Sequence, residues 1–128
     1  MRRQPDTRRF WRSVAVVMIC GLATLTTAGC SSGSAKKLTG NAVKTTNVDL
    51  PRSYRFDPAI ITTRSGSTVT WTNHDNFTHN VHFQSGPDTK THVLKPGTHV
   101  SITFPKAGTY RYECTFHPQD MQGKVIVT

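Results

Sequence analysis

Cysteine is scarce in this chain of 128 residues, which has only three, at Cys20, Cys30 and Cys114. Two of them lie within the first thirty residues, and Cys114 is the only one in the part expected to fold. An internal disulfide in that part is therefore excluded. A lone cysteine in an oxidising compartment is open to oxidation, so it needs either burial or a bond to a metal.

Acidic residues are also few, seven against sixteen lysines and arginines, which gives a formal net charge of +9. The first twelve residues hold five arginines and one acidic residue, and so account for +4 of that charge. The other basic residues are scattered, with Lys36–Lys37 as one adjacent pair, and form no stripe interleaved with aromatic residues. Nucleic-acid binding, which needs such a stripe, is not expected.

No apolar stretch reaches the 18 or more residues that a membrane-spanning helix needs; the longest, Val14–Leu25, has about twelve. It follows five arginines and precedes the small residues Thr26–Gly29, an order typical of a secretory signal. The ending Ala28-Gly29-Cys30 resembles the lipobox of bacterial lipoproteins. We therefore predict a lipoprotein-type signal segment over residues 1–30, with Cys30 as the lipid attachment site. An ordinary signal cleaved nearby, or an uncleaved anchor, is the alternative.

The rest of the chain divides into two parts by its patterning. Residues 31–44 are small and polar with no periodicity, which is typical of a flexible tether. From residue 45 onward, short runs of alternating apolar and polar residues are separated by turns rich in Gly, Pro and Ser. No sustained helical period of apolar residues is present. The pattern predicts an all-β domain over residues 45–128, a β-sandwich of about seven to eight strands.

The two-residue period of a strand also predicts which side chains point inward. If Tyr112 faces the core, so does Cys114 at the end of the same strand. If Val81 faces the core, so does His79 at the start of its strand. The other four histidines are predicted to be exposed to solvent; they are His74, His82, His92 and His99.

The segment after Cys114 adds further metal-binding side chains. His117 follows three residues later and Met121 four residues after that, so with His79 the chain offers a thiolate, two imidazoles and a thioether. This is the donor set of a blue-copper electron-transfer centre. Zinc does not take a thioether, haem attachment needs a second cysteine, and a Cys–His hydrolase would lack an evident oxyanion hole. A metal-free core with a buried cysteine is the remaining alternative.

Five stretches of the chain resemble the cupredoxins, particularly those of the plastocyanin, pseudoazurin and amicyanin type. They are Phe56–Ile61, Gly66–Asn73, Thr78–Val81, Tyr110–Pro118 and Met121–Val127. The resemblance implies a cupredoxin-like Greek-key β-sandwich, preceded by the signal segment and the tether. It also implies one copper ion that alternates between Cu(I) and Cu(II).

By this resemblance the copper ligands are His79, Cys114, His117 and, in the axial position, Met121. Asn80 resembles the residue that braces the ligand loop by a hydrogen bond beside the cysteine, here near Thr115. The spacer between the last histidine and the methionine is Pro118–Asp120, three residues, whereas plastocyanin-like loops have four and amicyanin-like loops two. This spacer bears on how closely the methionine sulfur approaches the metal, and hence on the reduction potential.

Three residues around the ligand segments, Phe77, Phe116 and Pro118, match the apolar docking patch that surrounds the exposed histidine in this family. We expect electrons to leave through His117. The +5 charge that remains without the first twelve residues is expected to steer the domain toward an acidic face of a redox partner protein. Lys95 and Lys106 are the residues expected to contribute to this steering.

The predicted function is that of a one-electron carrier outside the cytoplasm and not that of an enzyme. The alternative is a copper-binding protein for copper delivery, storage or resistance. Such proteins gain from open methionine-rich sites, whereas this chain has three methionines, two of them in the signal segment. We expect a monomer that is held on the outer side of the cell membrane by lipid on Cys30; a secreted or periplasmic soluble protein is the alternative.

Overall fold

The computed structural model describes residues 37–128. The predicted signal segment, the predicted lipid attachment site at Cys30 and the first part of the predicted tether lie outside these residues. The described residues form nine β-strands and no helix, so they include no helix able to cross a membrane. The predicted all-β class is therefore confirmed.

The nine strands alternate with short turns and loops along the whole described chain. In chain order they are β1 (Val43–Lys44), β2 (Asn47–Leu50), β3 (Ile60–Thr63), β4 (Ser67–Asn73), β5 (His79–Phe83), β6 (Thr91–Leu94), β7 (His99–Phe104), β8 (Gly108–Glu113) and β9 (Gln122–Val127). The count exceeds the expected seven to eight. The strand β1 lies within residues 31–44, so the sheet takes in the last two residues of the segment predicted to be a tether.

The strands form two sheets. The larger has six strands in the order β1-β3-β9-β8-β5-β6, and the smaller has three in the order β2-β4-β7. Three neighbouring pairs are parallel, namely β1 with β3, β3 with β9 and β2 with β4, and the other pairs are antiparallel. The strands β5 and β8, which lead to the candidate ligands, are neighbours in the larger sheet.

The core lies between the two sheets and follows from the alternation of the strands. In β4 and β9 every second side chain is buried, as the period of two requires. Trp71 of the smaller sheet packs edge-on against Phe83 and Tyr112 of the larger sheet, with ring centroids 5.5 and 5.3 Å apart. These aromatic contacts join the sheets, and they form directly beneath the end of the sandwich that carries Cys114.

Gly123 in β9 allows the large Tyr112 ring to fit at this end of the core. A Cβ atom at position 123 would overlap the Cζ atom and the hydroxyl oxygen of Tyr112. The two residues are direct cross-strand partners. Glycine is therefore needed here for close approach, because any side chain at position 123 would displace the Tyr112 ring from the core.

Candidate metal centre

Three side chains with metal-binding atoms meet at one end of the sandwich. His79 begins β5, Cys114 follows the last residue of β8, and His117 lies in the loop after it. The Nδ1 atoms of His79 and His117 are 3.9 and 3.8 Å from the Cys114 Sγ atom. One ligand atom from each residue lies within 4.8 Å of the other two. His79 and Cys114 are fully buried, and His117 is half-buried.

Asp75 orients the buried histidine. His79 Nε2 is 3.0 Å from Asp75 Oδ2, and both side chains are almost completely buried. An ionised carboxylate can only accept a hydrogen bond, so Nε2 carries the proton and Nδ1 presents a lone pair to the cluster. The hydrogen bond from His79 lowers the pKa of Asp75 below its usual value, against the effect of burial, which alone would raise it.

Asn80 ties β5 to the loop that carries the cysteine. Continuing the β5–β8 register from the pair His82–Glu113 brings Asn80 opposite Thr115. The Asn80 side chain donates to Thr115 Oγ1 over 2.7 Å, and its Oδ1 accepts from the Thr115 backbone N–H over 2.8 Å. The Asn80 backbone N–H lies 3.4 Å from the Cys114 sulfur and donates to it. These contacts limit the movement of the cysteine relative to His79.

Backbone hydrogen bonds close the ligand loop on itself. The Cys114 N–H donates to the Met121 carbonyl over 3.0 Å, and the Met121 N–H donates to the His117 carbonyl over 2.9 Å. The His117 N–H in turn donates to the Cys114 carbonyl over 3.0 Å. The spacer Pro118–Asp120 therefore forms a single compact turn. Met121, at the end of this turn, has a fully buried side chain.

An aromatic surface surrounds the half-buried histidine. Phe77 and Phe116 are 57% and 52% exposed, and Pro118 is also exposed. A fourth residue, Tyr54, brings its ring centroid to 4.5 Å from that of His117 and to 5.8 Å from that of Phe77. We call these four residues the aromatic surface.

Sequence reasoning missed two residues of this region, Asp75 and Tyr54. Asp75 had one signal, a carboxylate four residues before His79, but the same spacing occurs in the surface pair Asp88 and His92. Nothing in the sequence connects Tyr54 with the site, because it lies more than twenty residues before the first ligand. The contacts of both residues depend on how loops fold over the end of the sandwich.

The two lysines expected to steer a partner lie at different ends of the molecule. Lys95 directly follows Leu94, the β6 residue that pairs with His79, so it lies at the end that holds the cluster. Lys106 precedes β8, whereas Cys114 follows the other end of that strand. A six-residue strand spans about 20 Å. Lys106 therefore lies far from the aromatic surface, and its contribution to steering stays a prediction.

The other four histidines lie outside the cluster. His74 and His99 are exposed and His82 and His92 are partly exposed. His74 pairs with Asp49 over 3.2 Å, and His92 pairs with Asp88 over 2.9 Å. No further group of three or more His, Cys, Asp or Glu residues comes together as a metal site within residues 37–128.

The donor set of the cluster fits copper. A thiolate and two imidazoles suit both oxidation states of copper. His79 donates a hydrogen bond to Asp75, and the Asn80 backbone N–H donates one to the Cys114 sulfur, so two of the three side chains are held in place. The fold and the cluster thus define the class, a β-sandwich protein with a mononuclear copper site at one end. The family described as "Copper binding proteins, plastocyanin/azurin family" matches residues 42–128, and this chain belongs to it.

Similar proteins agree with this class. Amicyanin-alpha from Methylorubrum extorquens is 36% identical over 105 residues, which cover 79% of this chain and 87% of the relative. A reduced amicyanin variant of known structure is 36% identical, with a TM-score of 0.58 over 73% of this chain and 89% of that one. A purple cupredoxin from Nitrosopumilus maritimus is 26% identical, with a TM-score of 0.59 over 66% of this chain and 100% of that one.

Proposed function

We propose that this protein binds one copper ion through His79, Cys114 and His117 and carries single electrons outside the cytoplasm. The observation that carries the proposal is the convergence of one thiol and two imidazoles, within 4.8 Å, at the end of a rigid sandwich. Copper bound there would supply a centre that takes up and releases one electron. The residues around it would keep that centre from rearranging between its two oxidation states.

Each ligand has its own restraint. Asp75 holds the His79 ring through Nε2, so the Nδ1 atom keeps one direction. The Asn80 backbone N–H donates a hydrogen bond to the cysteine sulfur over 3.4 Å and so restricts its position. The loop that carries His117 is closed by the backbone bonds between Cys114 and Met121. A cage held in this way favours electron transfer over the exchange of metal.

We further propose Met121 as the weak axial ligand. Its side chain is fully buried, and its backbone is tied to both Cys114 and His117. Replacing it by Met121→Leu should leave copper bound but raise the reduction potential, because the loss of an axial sulfur disfavours Cu(II) more than Cu(I). Voltammetry of the two proteins would measure this shift. An unchanged potential would mean that the three-residue spacer keeps the sulfur away from the metal.

The visible spectrum of the full chain loaded with Cu(II) tests the copper proposal. An intense thiolate-to-copper band, whether blue, green or purple, is expected. Reconstituted protein without such a band would overturn the assignment of Cys114. Zinc should bind without producing the band, and this provides the control for nonspecific colour.

The carrier role requires its own measurements, the rate of electron self-exchange and the rate of copper loss to a chelator. A carrier exchanges electrons fast and releases copper slowly. Fast release with slow self-exchange would instead favour copper delivery or storage. We propose the carrier because His79 and Cys114 are fully buried, which closes two of the three ligands to an incoming copper acceptor.

We also propose that the protein is exported and attached to the membrane by lipid on Cys30, with residues 31–44 serving mainly as the tether for the copper domain. The support is the order of charged, apolar and small residues in the first thirty positions. Cys30→Ser should move the protein from the membrane fraction to the soluble fraction. Wild-type protein that is soluble and begins at another residue would refute the lipid anchor.

A further inference from the structure

Tyr54 lies against both histidines of the cluster. Its ring centroid is 4.5 Å from that of His117, with planes inclined by 49°, and 5.8 Å from that of His79, with planes nearly perpendicular at 84°. The two imidazole centroids are themselves 5.3 Å apart. The phenol ring therefore covers the gap between the imidazoles.

The turn that carries Tyr54 has an unusual backbone. Ser53 and Tyr54 have φ angles of 92° and 48°, both in the left-handed region that residues with side chains rarely adopt. Two such residues in succession persist only where the surroundings hold them, and such positions cluster at functional sites. The Arg55 guanidinium donates to the Arg52 carbonyl over 3.0 Å and so spans this turn.

Backbone hydrogen bonds also fix the base of this turn. Asp49 and Asp57 exchange two backbone hydrogen bonds, each 2.8 Å long, on either side of it. The turn is therefore anchored to β2, and it directs the Tyr54 ring over the cluster. Phe77 supports the outer part of that ring in a stacked arrangement, with planes inclined by 25°.

His117 lacks the restraint that Asp75 gives to His79. Within residues 37–128 no carboxylate forms a hydrogen bond or an ion pair with the His117 ring, and His117 lies in a loop and not in a strand. Its ring is also only half-buried. Tyr54 takes the role for His117 that Asp75 has for His79. Its ring lies against the imidazole, restricts the rotation of the imidazole and covers one of its faces.

We propose that Tyr54 is a positioning residue that clamps the His117 imidazole toward the cluster and shields the copper site from small external ligands. Of these two roles, only the shield rests on the proposed copper function. The clamp acts on His117 itself and is a property of the metal-free protein too. The shield concerns the approach of an anion or a base through the gap that the phenol ring covers.

Three variants of the full chain test the proposal. Tyr54→Leu removes the ring from an exposed position, and Tyr54→Phe keeps the ring. Val43→Ala, the control, removes an exposed apolar side chain from β1, at the opposite edge of the larger sheet from β6. Tyr54 is 38% exposed, so its replacement is not expected to unfold the sandwich. Unchanged amide resonances of β8 and β9 would verify this.

The first readout is the NMR resonance of the His117 imidazole in the metal-free protein. In the wild type, Tyr54→Phe and Val43→Ala, we expect a ring-current shift and restricted motion of the imidazole. In Tyr54→Leu the shift should disappear and the ring should become mobile. Wild-type shift and mobility in Tyr54→Leu would overturn the clamp, whatever metal the protein binds.

The second readout is azide binding to the Cu(II)-loaded protein, titrated by visible spectroscopy. Tyr54→Leu should bind azide about tenfold more tightly than the wild type, whereas Tyr54→Phe and Val43→Ala should match the wild type. Equal azide affinity in wild type and Tyr54→Leu would overturn the shield. A wild-type protein with no copper band would refute the proposed function instead, and the first readout would still decide the clamp.

Discussion

The two histidines of the cluster are held in different ways. His79 lies in a strand, is fully buried, and is oriented by a hydrogen bond to a buried carboxylate. His117 lies in a loop, is half-buried, and is covered by an aromatic ring from a distant turn. The first arrangement suits a ligand that never moves, and the second suits a ligand close to the surface through which an electron can pass. Cys114 lies between them and contacts both.

The largest expected effect comes from replacing Cys114, whose sulfur contacts both histidines. Cys114→Ser should abolish the intense visible band of the Cu(II) protein, because the band arises from the thiolate-to-copper bond. The spectrum measures this directly. The sandwich itself should still form, since the serine is similar in size, and circular dichroism provides the control. A variant that keeps the intense band would show that another group supplies the colour.

Deleting each imidazole in turn tests the difference in burial. His117→Gly should regain a coloured site when imidazole is added, because the opening lies at the surface. His79→Gly should not, because the space it leaves is closed off from solvent. Titration of each variant with imidazole, followed in the visible spectrum, gives the comparison. Equal rescue of both variants would mean that His79 is accessible after all.

Removing the carboxylate tests the restraint on the buried histidine. Asp75→Asn should weaken copper binding by about 10–100-fold, the usual cost of losing a partner that orients a metal ligand. The matched control is Asp88→Asn, which breaks another Asp–His pair of the same spacing, 2.9 Å long, away from the cluster. Competition with a chelator of known affinity measures both. If both variants bind copper like the wild type, Asp75 does not orient His79.

We also expect the stability contributed by the control pair, Asp88 and His92, to depend weakly on pH. The hydrogen bond from the Lys90 backbone N–H, aided by His92, lowers the pKa of Asp88 below its usual value. A carboxyl group with a lowered pKa in the folded state adds stability above its unfolded pKa, and this is lost as the pH falls through the folded value. Asp88→Asn should therefore cost little, below about 1 kcal/mol near neutral pH, and nothing in strong acid. Urea unfolding at several pH values checks this, and a cost that persists in strong acid would contradict the assignment.

The smallest expected effect concerns the outer surface near His117. Lys95→Glu should slow electron transfer to an acidic partner roughly two- to threefold at low salt and leave it unchanged at 1 M salt, where the Debye length is about 3 Å. Lys106→Glu makes the same charge change at the opposite end of β8 and should have a weaker effect. Stopped-flow measurements over a range of salt concentrations distinguish the two. Equal slowing by both would point to net charge and not to a local docking surface.

Most strands were predictable because apolar and polar residues alternate along them, as the regular burial of β9 shows. The same alternation gives the inward direction of His79 and Cys114, since each lies two residues from a core residue of its own strand or strand end. The short strand Val43–Lys44 was not predictable. Two residues are too few for a pattern, and both are exposed, so only their parallel pairing with β3 defines them as a strand.

The sequence by itself determined the all-β class, the core and the donor types of the metal centre, because these depend on local periodicity and on residue chemistry. The tertiary structure alone decided which side chains restrain the ligands. The partnership of Asp75 with His79 depends on the loop before β5, and the contact of Tyr54 with His117 depends on two left-handed residues that local propensity disfavours. The pairing of β5 with β6 likewise decided that Lys95 lies near the site. The contact of Tyr54 with His117 and the strand pairings have no local signal, since they form only when segments distant in the sequence pack together.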